Sequence, residues 1–288
     1  MAARGVTPAG RDDRGDRCGV RMRPPGRLIL VGAGPGAADL LTMRAVHALQ
    51  EADVVLHDRL VSDEVLDLIP GRVERIFVGK IHGRSADATQ EWIHGLIAVL
   101  VRSGRVVVRL KGGDPCVFAR GGEEWSRAAA AGIAVQVVPG ITSAISAPAL
   151  AGIPVTMRGV ASAFAVFSAQ EAASGLGAAI DWSMAAAAPT AVFLMGVRRL
   201  PEIVQQLVAH GRRPATAVAI IESASLPGQR TVVGTLENIV GRCVGVRAPA
   251  TIVVGEVVKL RASASSDPEV FAQTTSRVTA PHGVRLST

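Results

Sequence analysis

The feature that most constrains the fold is a recurring unit in which a short β-branched strand runs directly into a glycine-rich turn. Arg27–Val31 is followed by Gly32–Gly36, and Arg105–Leu110 is followed by Lys111–Pro115. Helical patterns separate these units from one another, and parallel strands need crossover connections of that kind. The sequence therefore predicts an α/β protein with a largely parallel sheet.

The organisation of the chain follows from where this pattern begins, changes and ends. The segment Gly152–Thr156 interrupts it and suggests a domain junction, after which the strand spacing predicts a more mixed sheet. Two domains of similar size would leave a cleft between them, a common place for ligands. We expect four regions: a flexible basic leader (1–26), an N-terminal α/β domain (27–150), a C-terminal α/β domain (151–261) and a flexible tail (262–288).

The net charge of +7 is concentrated at the two ends of the chain. Residues 1–27 hold seven arginines against three aspartates, and residues 259–288 add a further excess of two cations. The region between is nearly neutral, which removes the main support for a nucleic-acid-binding protein. No apolar run is long enough for a membrane span, and the start of the sequence has arginines without a following apolar block, so we expect no secretory signal. Three widely spaced cysteines form no disulfide framework, so we expect a cytoplasmic protein.

Metal-dependent and hydrolytic chemistry find no support in the sequence. The six histidines lack ligand spacing, and no serine occupies a Gly-x-Ser-x-Gly turn. We therefore predict a site without a metal.

The first glycine turn has more than one interpretation. Gly32, Gly34 and Ala37 fit the Gly-x-Gly-x-x-Ala spacing of dinucleotide-binding proteins, in which backbone amides meet a pyrophosphate. Pro35 removes one of those amides, which makes a nicotinamide site the weaker interpretation. The alternatives are a turn approached closely by another ligand and a plain strand-to-helix turn. Asp39 is placed to cap the helix that follows.

Charged residues follow two further strands. Asp58 comes after an apolar strand, where open α/β sheets place their sites, although it is equally placed to cap the next helix. Lys80 ends the strand after that, and it is one of only three lysines among 31 basic residues. A lysine whose pKa burial has lowered can shuttle a proton, whereas an exposed loop lysine has no such role.

The second strand–turn unit and the turn after Val138 complete the candidate site. Gly112 and Gly113 allow a ligand to touch backbone, and Asp114 has the oxygens to accept hydrogen bonds from an amine or hydroxyl. Thr142 and Ser143 begin a helix, where hydroxyls usually cap but also contact ligands across a cleft.

Taken in order, these segments resemble one family, the tetrapyrrole methylases, and within it the uroporphyrinogen-III C-methyltransferases. The resemblance covers about Arg27 to Leu260. The segments that carry it are Gly32–Gly36, Asp58–Ser62, Val78–Lys80, Val107–Pro115, Arg120–Glu124, Val138–Thr142 and Gly152–Thr156.

The resemblance implies an activity, a cofactor and an assembly. The implied activity is transfer of methyl groups from S-adenosylmethionine to C2 and C7 of uroporphyrinogen III. The implied products are S-adenosylhomocysteine and precorrin-2, the precursor of sirohaem and cobalamin. The implied fold has two α/β domains with the site in the cleft between them, usually in a homodimer. Two alternatives stay open: a methylase of a later corrin precursor, and a non-catalytic homologue that binds a tetrapyrrole or S-adenosylmethionine.

The resemblance also implies roles for individual residues. Asp58 is the implied proton acceptor and Lys80 the implied donor. Implied cofactor contacts are Pro35, Gly112, Gly113, Asp114, Val117, Thr142, Ser143, Met195 and Ala224. Candidate substrate contacts are Arg59, Arg84, Arg120, Glu123 and Arg158. The chain departs from the family pattern at His57, Ile81, Met157 and Ala224.

Overall fold

The computed structural model describes residues 26–79, 85–170 and 180–261, and within them it contains two five-stranded sheets. The first has the order β3-β2-β4-β1-β5 and is parallel throughout. Its strands are β1 (Arg27–Gly32), β2 (Val54–His57), β3 (Glu74–Phe77), β4 (Val106–Lys111) and β5 (Val135–Val138). The second has the order β6-β7-β10-β8-β9. Its strands are β6 (Phe164–Ser168), β7 (Thr190–Leu194), β8 (Ala217–Glu222), β9 (Arg230–Thr235) and β10 (Ala250–Gly255).

Helices connect and cover these strands. The described helices are α1 (Met43–Glu51), α2 (Asp63–Asp67), α3 (Ala86–Arg102), α4 (Gly121–Ala130), α5 (Ser143–Leu150), α6 (Trp182–Ala187), α7 (Leu200–Ala209) and α8 (Ile239–Arg242). Within the described ranges, no helix is long and apolar enough to cross a membrane. The α/β class, with one parallel and one mixed sheet, confirms the fold predicted from the sequence.

The first sheet is buried on both faces because alternate residues of its strands point to opposite sides. Ile29 and Val31 pack with Leu49 of α1 on one face. Leu28 and Leu30 pack on the other face, with the apolar side of α3. The sequence of β1 is apolar at every one of these positions, as a doubly covered strand requires.

The strand directions decide where the candidate site lies. In the parallel first sheet, all five carboxyl ends share one edge. In the second sheet, β10 runs antiparallel to both β7 and β8, and the register pairs Thr251 with Leu194 and Ala250 with Glu222. The carboxyl ends of β7 and β8 therefore lie together, and β6, which is parallel to β7, ends beside them.

The caps of two helices correct the sequence-based predictions. Asp39 lies in a 3₁₀ turn, Ala38–Leu40, and Thr42 caps α1 by accepting the Ala45 amide at 3.1 Å. Asp58 does not cap α2, because the Ser62 hydroxyl accepts the Val65 amide there. A hydroxyl next to the first helical turn reaches those amides more directly than a carboxylate several residues upstream.

The predicted domain junction, Gly152–Thr156, follows helix α5, which packs against the second sheet. Ala147 of α5 is buried with Ile221 and Val253, which belong to the second sheet. The leader predicted over 1–26 falls outside the described residues except for Gly26, and so does the whole tail over 262–288. The four regions stay predictions.

Candidate active site

Three turns of the first sheet are packed together at its carboxyl edge by glycines. Gly34 and Gly113 bond to each other in both directions, with N–O distances of 3.1 and 2.7 Å. A methyl group added to Gly140 would lie 2.2 Å from the Gly113 carbonyl oxygen, and one added to Gly32 would lie 2.5 Å from Gly140. Only backbone fits at this contact, so the turns after β1, β4 and β5 form a single unit.

The Asp114 carboxylate ties this unit together. Its Oδ1 accepts the Cys116 amide at 2.8 Å, and its Oδ2 accepts the Gly140 amide at 3.0 Å. The carboxylate thus fixes its own turn and joins it to the turn after β5, while lone pairs on both oxygens stay available to a ligand.

The space beside Gly113 fits a ligand that lies on backbone. Gly113 has a φ of +69°, and a methyl group added there would meet no atom closer than the Thr142 Cα, at 3.9 Å. Gly112 packs against Leu60 of the Asp58 loop. Pro35 and Thr142 border the same turns, and the Thr142 hydroxyl caps α5 through the Ala144 amide. The interpretation of Thr142 as a cap is confirmed.

The second sheet meets this edge through its own carboxyl-end loops. The Ala37 amide donates to the Ser225 hydroxyl at 3.0 Å, and Leu226 packs on Gly36. Val117 packs against Val192 and Leu194 of β7. The two edges therefore face each other, as expected for a cleft between two α/β units.

Strained backbone is concentrated around these loops. Met195, Ser223 and Ser225 have positive φ angles of 59°, 50° and 69°, in the left-handed region that non-glycine residues rarely adopt. Such strain is typical of functional sites, where packing over-determines the backbone. Met195 also lines an open cavity of about 350 Å³ with Gln170 and Arg198, and Ala224 lies between the two strained serines.

Asp58 directly follows β2 and is the partly exposed member of a buried ionic cluster. The Arg109 Nη2 donates to its Oδ1 at 2.7 Å, and the Lys111 Nζ lies 4.0 Å from its Oδ2. Arg109 and Lys111 also bond to Glu124, which is fully buried. His57, next to Asp58, is neutral near pH 7, because burial lowers its pKa below the ordinary value.

Sequence reasoning did not assign roles to Arg109, Lys111 and Glu124. The available signal was the pair of cations at alternate positions of the apolar strand β4, which places both side chains on one face of a buried strand. A buried charge needs a partner of opposite sign, so such a pair indicates acidic residues nearby.

The candidate substrate contacts differ in their surroundings. Arg120 donates to both oxygens of Glu123 and to Asp87. Arg59 and Arg158 are exposed, and neither forms a side-chain hydrogen bond or ion pair with the described part of the chain. Lys80 and Arg84 lie outside the described residues, as does Ile81.

A family model for Tetrapyrrole (Corrin/Porphyrin) Methylases matches residues 27–240, which span the glycine turns, Asp58 and both sheets up to α8. The chain belongs to this family. The resemblance drawn from the sequence motifs is therefore confirmed. The facing sheet edges described above belong to a tetrapyrrole methylase fold.

Curated proteins and solved structures agree with this assignment. Siroheme synthase of Edwardsiella ictaluri (strain 93-146) is 46% identical over 237 residues, covering 82% of this chain and 50% of that protein. Siroheme synthase 1 of Cronobacter sakazakii (strain ATCC BAA-894) is 48% identical over 238 residues, with 82% and 50% coverage. The chain spans about half the length of the curated relatives it matches.

The uroporphyrin-III C-methyl transferase of Thermus thermophilus has been solved in its native form and in complex with S-adenyl homocysteine. Each structure is 44% identical to this chain, with a TM-score of 0.72, covering 82% of this chain and 100% of the other. The match thus covers the whole length of the Thermus thermophilus protein.

Proposed function

We propose that the protein transfers methyl groups from S-adenosylmethionine to C2 and C7 of uroporphyrinogen III and releases precorrin-2, the precursor of sirohaem and cobalamin. The observation that carries the proposal is the position of Asp58. This carboxylate is partly exposed at the same sheet edge as the fused glycine turns, and loops of the second sheet contact that edge at Ala37 and Val117. The full-length match to the Thermus thermophilus enzyme supports this substrate.

S-adenosylmethionine supplies an electrophilic methyl group and leaves as S-adenosylhomocysteine. The residues proposed to hold it come from both sheet edges, and Gly113 is the position where backbone faces open space. The first-sheet contacts are Pro35, Gly112, Gly113, Asp114, Val117, Thr142 and Ser143, and the second-sheet contacts are Met195 and Ala224. Two substrates held in a fixed geometry account for much of the acceleration.

Asp58 is the proposed base. The pyrrole carbon that accepts the methyl group is fully substituted and has no hydrogen to lose. The cationic ring formed by methyl transfer is therefore neutralised by loss of a proton from its nitrogen or from an adjacent bridging carbon. Asp58 Oδ2, which accepts no hydrogen bond from the described residues, is the oxygen available to receive it. Lys80 is the proposed proton donor. General acid–base help of this kind contributes about 10²- to 10⁴-fold.

Cations around the cleft are proposed to hold the substrate's carboxylates. Arg59 and Arg158 are exposed and free for this role, and Arg84 and Arg120 complete the set, with Glu123 facing a pyrrole N–H. Guanidinium groups suit carboxylates because they donate two parallel hydrogen bonds. Binding of substrate by Arg120 requires exchange of contacts that it now makes with Glu123 and Asp87.

The test uses the purified protein with S-adenosylmethionine and uroporphyrinogen III, and follows the product by mass. We expect the gain of two methyl groups. Asp58→Asn should lower the rate by about 10²- to 10⁴-fold without changing the affinity for S-adenosylhomocysteine, measured by calorimetry. The control is Asp63→Asn, an exposed carboxylate on the next helix, which should keep the native rate. Methylation only of a later corrin precursor would replace the proposed substrate, and binding without turnover would contradict the proposed activity.

Lys80→Arg tests the proton donor, since arginine keeps the charge but releases no proton near neutral pH. Activity should collapse if Lys80 donates a proton and persist if it only holds a carboxylate.

We further propose that the protein acts as a cytoplasmic homodimer. Light scattering on the purified protein tests the homodimer, and a monomer mass in the active fraction would contradict it.

A further inference from the structure

The cluster beneath Asp58 contains three charged side chains that the proposed chemistry leaves unused. The side chains of Arg109, Lys111 and Glu124 are 2%, 3% and 0% exposed, whereas that of Asp58 is 30% exposed. Removing a charged side chain from water is costly, and a protein with a well-packed apolar group in its place is often as stable. Stability alone is therefore a weak reason for this arrangement.

Arg109 is fixed by contacts on both sides of its guanidinium group. Its Nη2 donates to Asp58 Oδ1 at 2.7 Å, and its Nε donates to Glu124 Oε1 at 3.2 Å. Its Nη1 lies within hydrogen-bond range of the carbonyl oxygens of Leu56 and Leu110, at 3.4 and 3.2 Å. The planar fork leaves the side chain no freedom to turn, so Asp58 Oδ1 is held in one place.

Glu124 is the anchor of the cluster. Its Oε1 accepts from Arg109 Nε, from Lys111 Nζ at 3.0 Å and from Gln90 Nε2 at 3.0 Å. Burial alone would raise the pKa of Glu124, but the two cations outweigh it and hold the pKa below its ordinary value. Glu124 is therefore a carboxylate at neutral pH. Burial and the neighbouring Arg109 lower the pKa of Lys111, so Arg109 is the cation that pairs with both Glu124 and Asp58.

Resting on the proposed function, we infer that Arg109, anchored by Glu124, is a positioning residue that holds Asp58 with Oδ1 occupied and Oδ2 presented to the cleft. After Oδ2 takes the proton shed by the methylated ring, Arg109 Nη2 faces a neutral carboxyl group instead of a carboxylate. The guanidinium charge favours return to the carboxylate, with transfer of the proton to solvent through the exposed side of Asp58. The carboxylate is then restored for the second methyl transfer.

A double-mutant cycle separates this role from a purely structural one. Arg109→Lys keeps the charge but cannot hold Asp58 and Glu124 with one rigid fork. We expect it to slow single-turnover methyl transfer by about a hundredfold in the native background, the effect of a misplaced catalytic group. In the Asp58→Asn background the same change should cost less than about twofold, because Arg109 acts through Asp58. Affinity for S-adenosylhomocysteine should not change in either background.

Two further variants serve as an independent check and as a control for this cycle. Glu124→Gln keeps the size of the anchor and should give the same pattern in the same cycle. Arg212→Lys is the control, since Arg212 is a partly buried arginine whose hydrogen bonds within the described residues go to backbone carbonyls around the second sheet. It should keep the native rate.

The outcomes distinguish the inference from the function on which it rests. Equal losses in both backgrounds would overturn the positioning role while leaving the methyl transfer intact. Failure of both Arg109→Lys and Glu124→Gln to fold, judged by circular dichroism, would assign the cluster to the fold alone and overturn it as well. Native protein that forms no methylated product, or Asp58→Asn with the native rate, would contradict the proposed function, and the positioning role would fall with it.

Discussion

Removing the Asp114 carboxylate should damage the cofactor site more than it damages the fold. Asp114→Ala deletes two charge-assisted hydrogen bonds to backbone, those from Cys116 and Gly140. Such bonds contribute about 1.5 to 3 kcal/mol each, and the lower figure applies because both lie near solvent. We therefore expect a loss of about 3 kcal/mol in the free energy of unfolding. Asp114→Asn should lose about half as much, since its single carbonyl oxygen satisfies one of the two amides.

The decisive assay for Asp114 is binding rather than stability. If the Gly112–Asp114 and Gly140–Thr142 turns cradle the cofactor, separating them should weaken S-adenosylhomocysteine binding by tenfold or more, about 1.4 kcal/mol, in calorimetry. Asp53→Ala is the matched control, because Asp53 accepts the Val106 amide at 2.8 Å at the opposite edge of the same sheet. It should lose stability without losing affinity. A folded Asp114→Ala protein with native affinity would refute the assignment of these turns to the cofactor.

Three other predictions follow from the structure. Gly113→Val, at a φ of +69° where a β-branched residue is strained, should lower the free energy of unfolding, and the protein that stays folded should no longer bind S-adenosylhomocysteine in calorimetry. The pKa of Glu124 is lowered, so the stabilisation by its carboxylate is complete above the ordinary pKa of 4.5 and is lost as the pH falls below that value. Glu124→Gln should lower the free energy of unfolding by about 3 to 5 kcal/mol at pH 7, measured with urea, and the stability of the variant should fall less steeply in acid. A protein shortened to 27–261 should retain methyl transfer and lose most salt-sensitive binding to polyanions, measured by heparin retention, because the two ends carry most of the net charge. Loss of activity would show that the ends belong to the working enzyme.

The strands were predictable because each is a short β-branched run with a polar or glycine boundary. The strands predicted at Arg27–Val31 and Arg105–Leu110 are observed at Arg27–Gly32 and Val106–Lys111, so each bound agrees to within one residue. Helix α4 illustrates what local pattern does not show. It begins at Gly121 and Gly122, which disfavour helix, after Arg120 in a left-handed conformation without a side-chain cap. Packing of Gly121 against the Pro115 carbonyl sets that start, and this contact depends on the tertiary fold.

Some residues of the candidate site could likewise be predicted from local sequence, whereas others depend on the tertiary fold. The motif positions at strand ends were predictable, since parallel topology alone brings the Asp58 loop and the Gly112–Asp114 turn to one edge. The ionic cluster was not, because it needs β2 and β4 to be neighbours and α4 to lie behind them. Burial of Arg109 on an otherwise apolar strand indicated that a partner exists, but not which acidic residue supplies it.

The measurement that tests the central claim most directly is the position of the transferred methyl groups. The native protein is incubated with uroporphyrinogen III and S-adenosylmethionine labelled with ¹³C in the methyl group, and the product is examined by NMR. We predict two labelled methyl groups per tetrapyrrole, one on C2 and one on C7, with Asp58→Asn forming the same product far more slowly. Label on other ring carbons, or none transferred while S-adenosylmethionine is bound, would contradict the account.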